Sequence, residues 1–152
     1  MPANYKVTNE YRVFYVVFQS SNFNRFWAGF TAEGFQHVWT FWGKPIGEPG
    51  LLTPEWTIKF EPLAPHFDTD IWFMDPVDAV TSYINDPGVT DILKINLKFQ
   101  TAEAFIPRGI ITCVSAVKCA MGLRAWHILT PKQLYFYLLR KGATSLKGAS
   151  PQ

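Results

Sequence analysis

Apolar residues recur with a two-residue beat through the first two-thirds of the chain. Residues 12–18 read RVFYVVF, β-branched and aromatic, which predicts a strand buried on at least one face. Residues 20–24 then read as a turn. Residues 34–42, GFQHVWTFW, predict a second strand with His37 near its middle. Alternation puts Gln36, Val38, Thr40 and Trp42 on one face of it, and Phe35, His37, Trp39 and Phe41 on the other. Residues 43–54 hold three prolines and three glycines and predict a loop. Residues 55–61, EWTIKFE, alternate again and predict the antiparallel partner of the His37 strand, and residues 70–74 predict a short further strand.

The beat then changes. Asp75-Pro76 has the form of an N-cap followed by proline in the first turn, and it predicts a short helix to about Ile84. Asn85-Asp-Pro-Gly88 stops that helix, and residues 90–99 alternate as a strand. Residues 105–109 read as a loop. A helix follows from Thr112 or Cys113 to Met121, closed by Gly122 as the first residue beyond the cap. Thr130 caps a last helix, with Pro131 in its first turn and Leu134, Tyr137 and Leu138 on one stripe. Strands first and helices later predict an α+β fold, a mostly antiparallel sheet with helices on one side. Residues 1–141 make one domain with no internal repeat, and the Gly, Ser and Ala of residues 142–152 predict a flexible tail.

The chain has 152 residues, long enough for a full core in one domain. With 48% hydrophobic and 17% charged residues it is not a disordered sequence. Aromatics at 16% must supply much of the core or line a pocket. The net charge of +2, with Lys and Arg scattered rather than run together, gives no basic stripe and no indication of a nucleic-acid partner. No apolar run is long enough to span a bilayer, and the polar start lacks the apolar core of a secretory signal. The expectation is a protein kept in a cytoplasm, or carried in a particle assembled there.

Cys113 opens a helix, and a helix N-terminus offers partial positive charge and free N–H groups, which favour a thiolate and can hold an oxyanion. A nucleophilic thiol also needs a base and a group to orient it. Of the three histidines, His37 lies on a strand, which is a rigid mount; His66 follows Pro65 in a loop; His127 lies in the connection after the Cys113 helix. The plainer readings are a small buried apolar residue for Cys113, a satisfied core or edge residue for His37, core for Cys119 and surface for His127. Cys113 and Cys119 are six apart on one helix, roughly 9 Å by helical rise, too far for a disulfide. No CxxC, HxxxH, HExxH, GxSxG or GxGxxG spacing occurs, so neither a metal nor another cofactor is expected.

Taken in order, Gly34-Phe-Gln-His-Val-Trp39, then Trp56 and Glu61-Pro62, then Thr112-Cys-Val-Ser-Ala-Val-Lys118, Met121-Gly-Leu123 and Thr130-Pro-Lys-Gln-Leu134, the chain resembles small papain-like cysteine peptidases of bacteriophages. These are similar to the circularly permuted NlpC/P60 group, in which the His strand precedes the Cys helix. The resemblance runs over residues 13–139, strongest over 110–138 and weak over 63–99. It implies a papain-like fold with Cys113 as nucleophile and His37 as base. The third polar group of such sites lies on the strand paired with the His strand, where Thr57, Lys59 and Glu61 share a face and Glu61 is the candidate. The implied reaction is cleavage of an amide in a peptide or peptidoglycan-like substrate, with Trp39 and Trp56, beside Phe35, Phe41 and Trp42, as candidates to line a groove. These rings equally suit plain core packing. The third position is not a His, Asn or Asp, and this departure keeps open an inactive papain-like structural or binding component of a phage particle, whose partners would be other virion proteins. An acyltransferase is a third reading. The implied locations are the host cytoplasm or the virion.

Overall fold

The computed structural model describes residues 10–20, 34–45, 55–63, 66–99 and 112–148. Their elements are β1 (Glu10–Gln19), β2 (His37–Pro45), β3 (Glu55–Leu63), β4 (His66–Trp72), α1 (Pro76–Tyr83), β5 (Val89–Phe99), α2 (Cys113–Ala120), α3 (Pro131–Arg140) and β6 (Thr144–Ser145). The strands form one antiparallel sheet in the order β4-β3-β2-β1-β5-β6. The fold is α+β, as the order of elements implies. Of the loop read at residues 43–54, Gly43, Lys44 and Pro45 instead continue β2 and pair with β3, and 46–54 lie outside the described residues, as do the loop at 105–109 and most of the turn at 20–24.

β1 sits at the centre and is apolar at every position from Val13 to Phe18. Its alternate side chains therefore need cover on both faces, and both receive it. Phe14, Val16 and Phe18 join Val38, Leu93 and Ile95 under Val114 and Val117 of α2 and Leu134, Tyr135 and Leu138 of α3. Tyr15 and Val17 join Trp39, Phe41 and Ile92 under Ala79 of α1. The expectation of helices on one side only is thus corrected. A strand with no polar face cannot front a half-solvated sheet.

The tail expectation also changes. Thr144–Ser145 pair with β5, and Leu146 N–H donates to the Ile92 carbonyl at 2.9 Å. Fully buried Asp91 draws the next residue in: its carboxylate accepts from Lys147 N–H (3.1 Å), Ile92 N–H (2.8 Å) and the Tyr135 hydroxyl (2.8 Å). A buried carboxylate left without donors is costly, so Gly- and Ser-rich composition does not free residues 142–148. Residues 149–152 lie outside the described part.

The caps form where the residue types predict. Asp75 accepts from Val77 N–H (2.8 Å) ahead of Pro76. Thr112 and Ser115 close a capping box on α2, and Thr130 and Gln133 close one on α3. At the end of α2, Gly122 takes φ +70, and Leu123 N–H reaches back to the Lys118 carbonyl at 2.8 Å.

Candidate functional site

Three elements meet at one end of the sheet. His37 is the first residue of β2, not its middle, and pairs with Gln19 at the end of β1. The chain enters β2 through Gly34, at φ +79, whose carbonyl accepts from the Thr90 hydroxyl. A Cβ there would stand 3.0 Å from Thr90 Oγ1, so the bend needs glycine. Gln36 N–H then bonds the Gln19 carbonyl at 3.1 Å and fixes where the strand starts.

Phe35 does not stay on the face of Trp39, as strict alternation predicts. It turns to the α3 side and meets Tyr135 at 5.1 Å and Phe18 at 6.0 Å between ring centroids. Alternation fails there because Phe35 precedes the strand.

β3 supplies the carboxylate. Thr57, Lys59 and Glu61 alternate along it, and Lys59 lies over the Trp39 and Trp72 rings at 5.1 and 5.8 Å, on the α1 side of the sheet. His37 Nε2 and Glu61 Oε1 are 3.1 Å apart. A carboxylate only accepts, so Nε2 carries the proton. The second oxygen, Oε2, takes Lys59 Nζ at 2.6 Å. All three side chains are nearly buried, 15–16% exposed.

α2 supplies the thiol. Cys113 is its first residue, with Thr112 as cap. Half-buried, it packs against the core beneath α2, near enough to the His37 ring to raise the imidazole's pKa. The capping box uses the N–H groups of Thr112 (2.8 Å to Ser115 Oγ) and Ser115 (3.1 Å to Thr112 Oγ1). The N–H groups of Cys113 and Val114 have no carbonyl four residues back within the helix.

Charge follows from this geometry. Burial alone would lower the His37 pKa, but hydrogen bonds to Cys113 and Glu61, and their charges, more than offset it and raise it from 6.5 to about 9. The His37 hydrogen bond draws the Glu61 carboxyl down against the opposing pull of burial, and Lys59 adds to it, leaving it at about 2. Burial works against the Lys59 charge too, yet Glu61 holds that ammonium above its ordinary value. Near neutral pH His37 is an imidazolium placed between Cys113 and a carboxylate it shares with Lys59.

Of the candidate residues, Cys113, His37 and Glu61 come together. Trp39 does not face a groove: it is 2% exposed, its indole N–H donates to Gln19 Oε1 at 3.2 Å, and its ring packs edge-on to Tyr83 and Trp72. The α1 cover that alternation cannot foresee accounts for this. Phe41 is fully buried and Trp42 packs on the other core. Trp56 is in β3 opposite Lys44, with its side chain outside the described part, as is that of His66 at the start of β4. His127 lies exposed in the turn after α2. Lys59 is a further partner that strand alternation places on the face of Glu61, two residues away, without marking it as part of the site. Among the described residues, no group of three or more His, Cys, Asp or Glu is placed to hold a metal, and no helix is long and apolar enough to cross a membrane.

The class these observations define is an α+β protein with a Cys-His-Glu cluster at the end of an antiparallel sheet. No protein family, curated protein or solved structure matches the chain.

Proposed function

We propose that the chain is a papain-like cysteine hydrolase of permuted order that cleaves an amide bond, with Cys113 as nucleophile, His37 as acid and base, and Glu61 holding the imidazole. One observation carries the reading: a thiol at a helix N-terminus and an ionised carboxylate share one nearly buried imidazole. In the reaction Cys113, as a thiolate whose proton is on His37, attacks the carbonyl carbon, and a C–S bond forms as the C=O electrons move to oxygen. The Cys113 and Val114 N–H groups face the developing oxyanion. His37 gives its proton to the departing nitrogen as the C–N bond breaks, leaving a thioester. It then takes a proton from water, whose oxygen attacks the thioester; the C–S bond breaks, the acid leaves, and the Cys113 thiolate is restored beside the imidazolium. Glu61 stays ionised throughout and keeps the ring aimed.

The substrate class is a peptide or a peptidoglycan-like stem peptide. The test is amine release from a panel of acyl-dipeptide nitroanilides and from a purified murein tetrapeptide. Release that falls to background in both Cys113→Ser and His37→Ala supports the reading. No release by the unaltered protein, or equal release by the variants, overturns it.

A further inference from the structure

Six large apolar side chains stand exposed among the described residues, and they fall into two groups. Ile71, Phe73, Met74 and Val77 are 52, 77, 39 and 60% exposed at the end of β4 and the start of α1. Trp126 and Leu129 are 86 and 69% exposed on the turn between α2 and α3.

Charge divides the same way. Between Phe60 and Leu93 the sequence holds seven acidic residues and no Lys or Arg. Asp68, Asp70, Asp75 and Asp78 are exposed around the first group. From residue 104 to the last there are seven Lys and Arg and no acidic residue. Arg124, Lys132, Arg140 and Lys141 are exposed around the second group. Lys132, Phe136 and Arg140 are four apart and share a line on α3, opposite buried Leu134 and Leu138.

The second group is rigid. The buried ammonium of Lys118 donates to the carbonyls of Ala125 (2.7 Å) and Ile128 (2.5 Å), which bracket Trp126 and His127. The turn is clamped from beneath while its indole stands out. His127 meets both Trp126 and Tyr137 edge-on, and beside them a depression of about 350 Å³ is lined by His127, Ile128, Gln133, Phe136 and Arg140. A fixed aromatic beside a hollow with a basic rim suits an apolar, acidic partner surface.

We propose that the chain associates head-to-tail with itself, the acidic apolar patch of β4 and α1 on one copy docking on the basic apolar patch of the α2–α3 turn and α3 on the next. The two patches cannot meet within one copy, because α1 and the α2–α3 pair pack on opposite faces of the sheet. Two-fold pairing of either patch with itself would set like charges together. Heterologous docking matches both charge and apolar area, and it builds a ring or a filament.

The test is sedimentation velocity on the whole chain, on Phe73→Ser and on Trp126→Ser, alone and mixed. Both sites are exposed, so each variant keeps the fold, which far-UV circular dichroism checks. The unaltered chain forms species heavier than monomer, growing with concentration and receding with salt. Each variant alone is monomeric. Mixed one to one they form a species of twice the monomer mass and nothing larger, because each brings one intact patch. An unaltered chain that stays monomeric at every concentration overturns the proposal, including where the basic patch instead carries it onto anionic lipid vesicles. A mixture that stays monomeric overturns the head-to-tail arrangement.

Discussion

Glu61 and Asp91 are both strand carboxylates that reach a ring from another element, yet their surroundings differ in kind. Asp91 is fully buried, and its donors are two backbone N–H groups and the Tyr135 hydroxyl. Burial and the Asp91 charge push the Tyr135 phenol well above its ordinary value, so that hydroxyl stays a donor at every physiological pH. Glu61 is served by His37 and Lys59, at a partly open end of the sheet and beside a thiol. One carboxylate is held by groups whose charge does not change, the other by a group whose charge does. The first locks α3 and the chain's last described turn to the sheet; the second holds a titratable ring next to Cys113.

Asp91→Ala sharpens that contrast most. It leaves a phenol and two N–H groups buried without an acceptor, and the expected loss is about 3 kcal/mol of unfolding free energy, read from urea denaturation. Cys113 alkylation by iodoacetamide in the still-folded protein should change little. A loss below about 0.5 kcal/mol would remove the structural role given to Asp91.

Glu61→Gln should do the reverse. Its main effect is electrostatic: the His37 pKa falls from about 9, because one of the two groups that offset burial is lost. Nitrogen NMR of the imidazole reads this directly. The signs for stability follow. The raised His37 pKa contributes fully below 6.5, and its contribution is lost as pH rises through about 9. The lowered Glu61 pKa contributes above 4.5 and is lost as pH falls through about 2. The thermal midpoint of the unaltered protein should therefore drop on both sides of the interval from 4.5 to 6.5, and Glu61→Gln should flatten both limbs. A His37 titration that Glu61→Gln leaves in place would break the comparison.

Thr112→Ala is the mildest. It opens the capping box that seats Cys113, at an expected cost of about 1 kcal/mol. The accompanying readout is slower Cys113 alkylation, which a purely structural cap far from the thiol would not produce.

Much of this was legible in residue types. Asp75-Pro76, Thr112 and Thr130-Pro131 announce their helices because each side chain satisfies an N–H the helix leaves open. The candidate trio of Cys113, His37 and Glu61 followed from a helix start, a strand histidine and a resemblance. The cover on both faces of the sheet did not follow from alternation, which separates two faces without saying which is covered. The unbroken apolar run in β1 held that signal. Trp39 illustrates the consequence: a ring proposed for a groove is core once α1 lies over it. β6 was hidden because Asp91, fifty-odd positions earlier, holds it. The charge division was hidden too, since scattered Lys and Arg form no run, although the acidic residues stop at Glu103.

The proposed hydrolase stands on Cys113 and His37 forming one reactive pair. Iodoacetamide alkylation of Cys113 across pH, in Cys119→Ala with and without His37→Ala, tests it most directly. The expected result is ready alkylation at about pH 6, where a free thiol with its ordinary pKa of about 8.5 is almost wholly protonated, and loss of that low-pH reaction in His37→Ala. A Cys113 that reacts only as pH approaches that ordinary value, with or without His37, would contradict the pair and the hydrolase built on it.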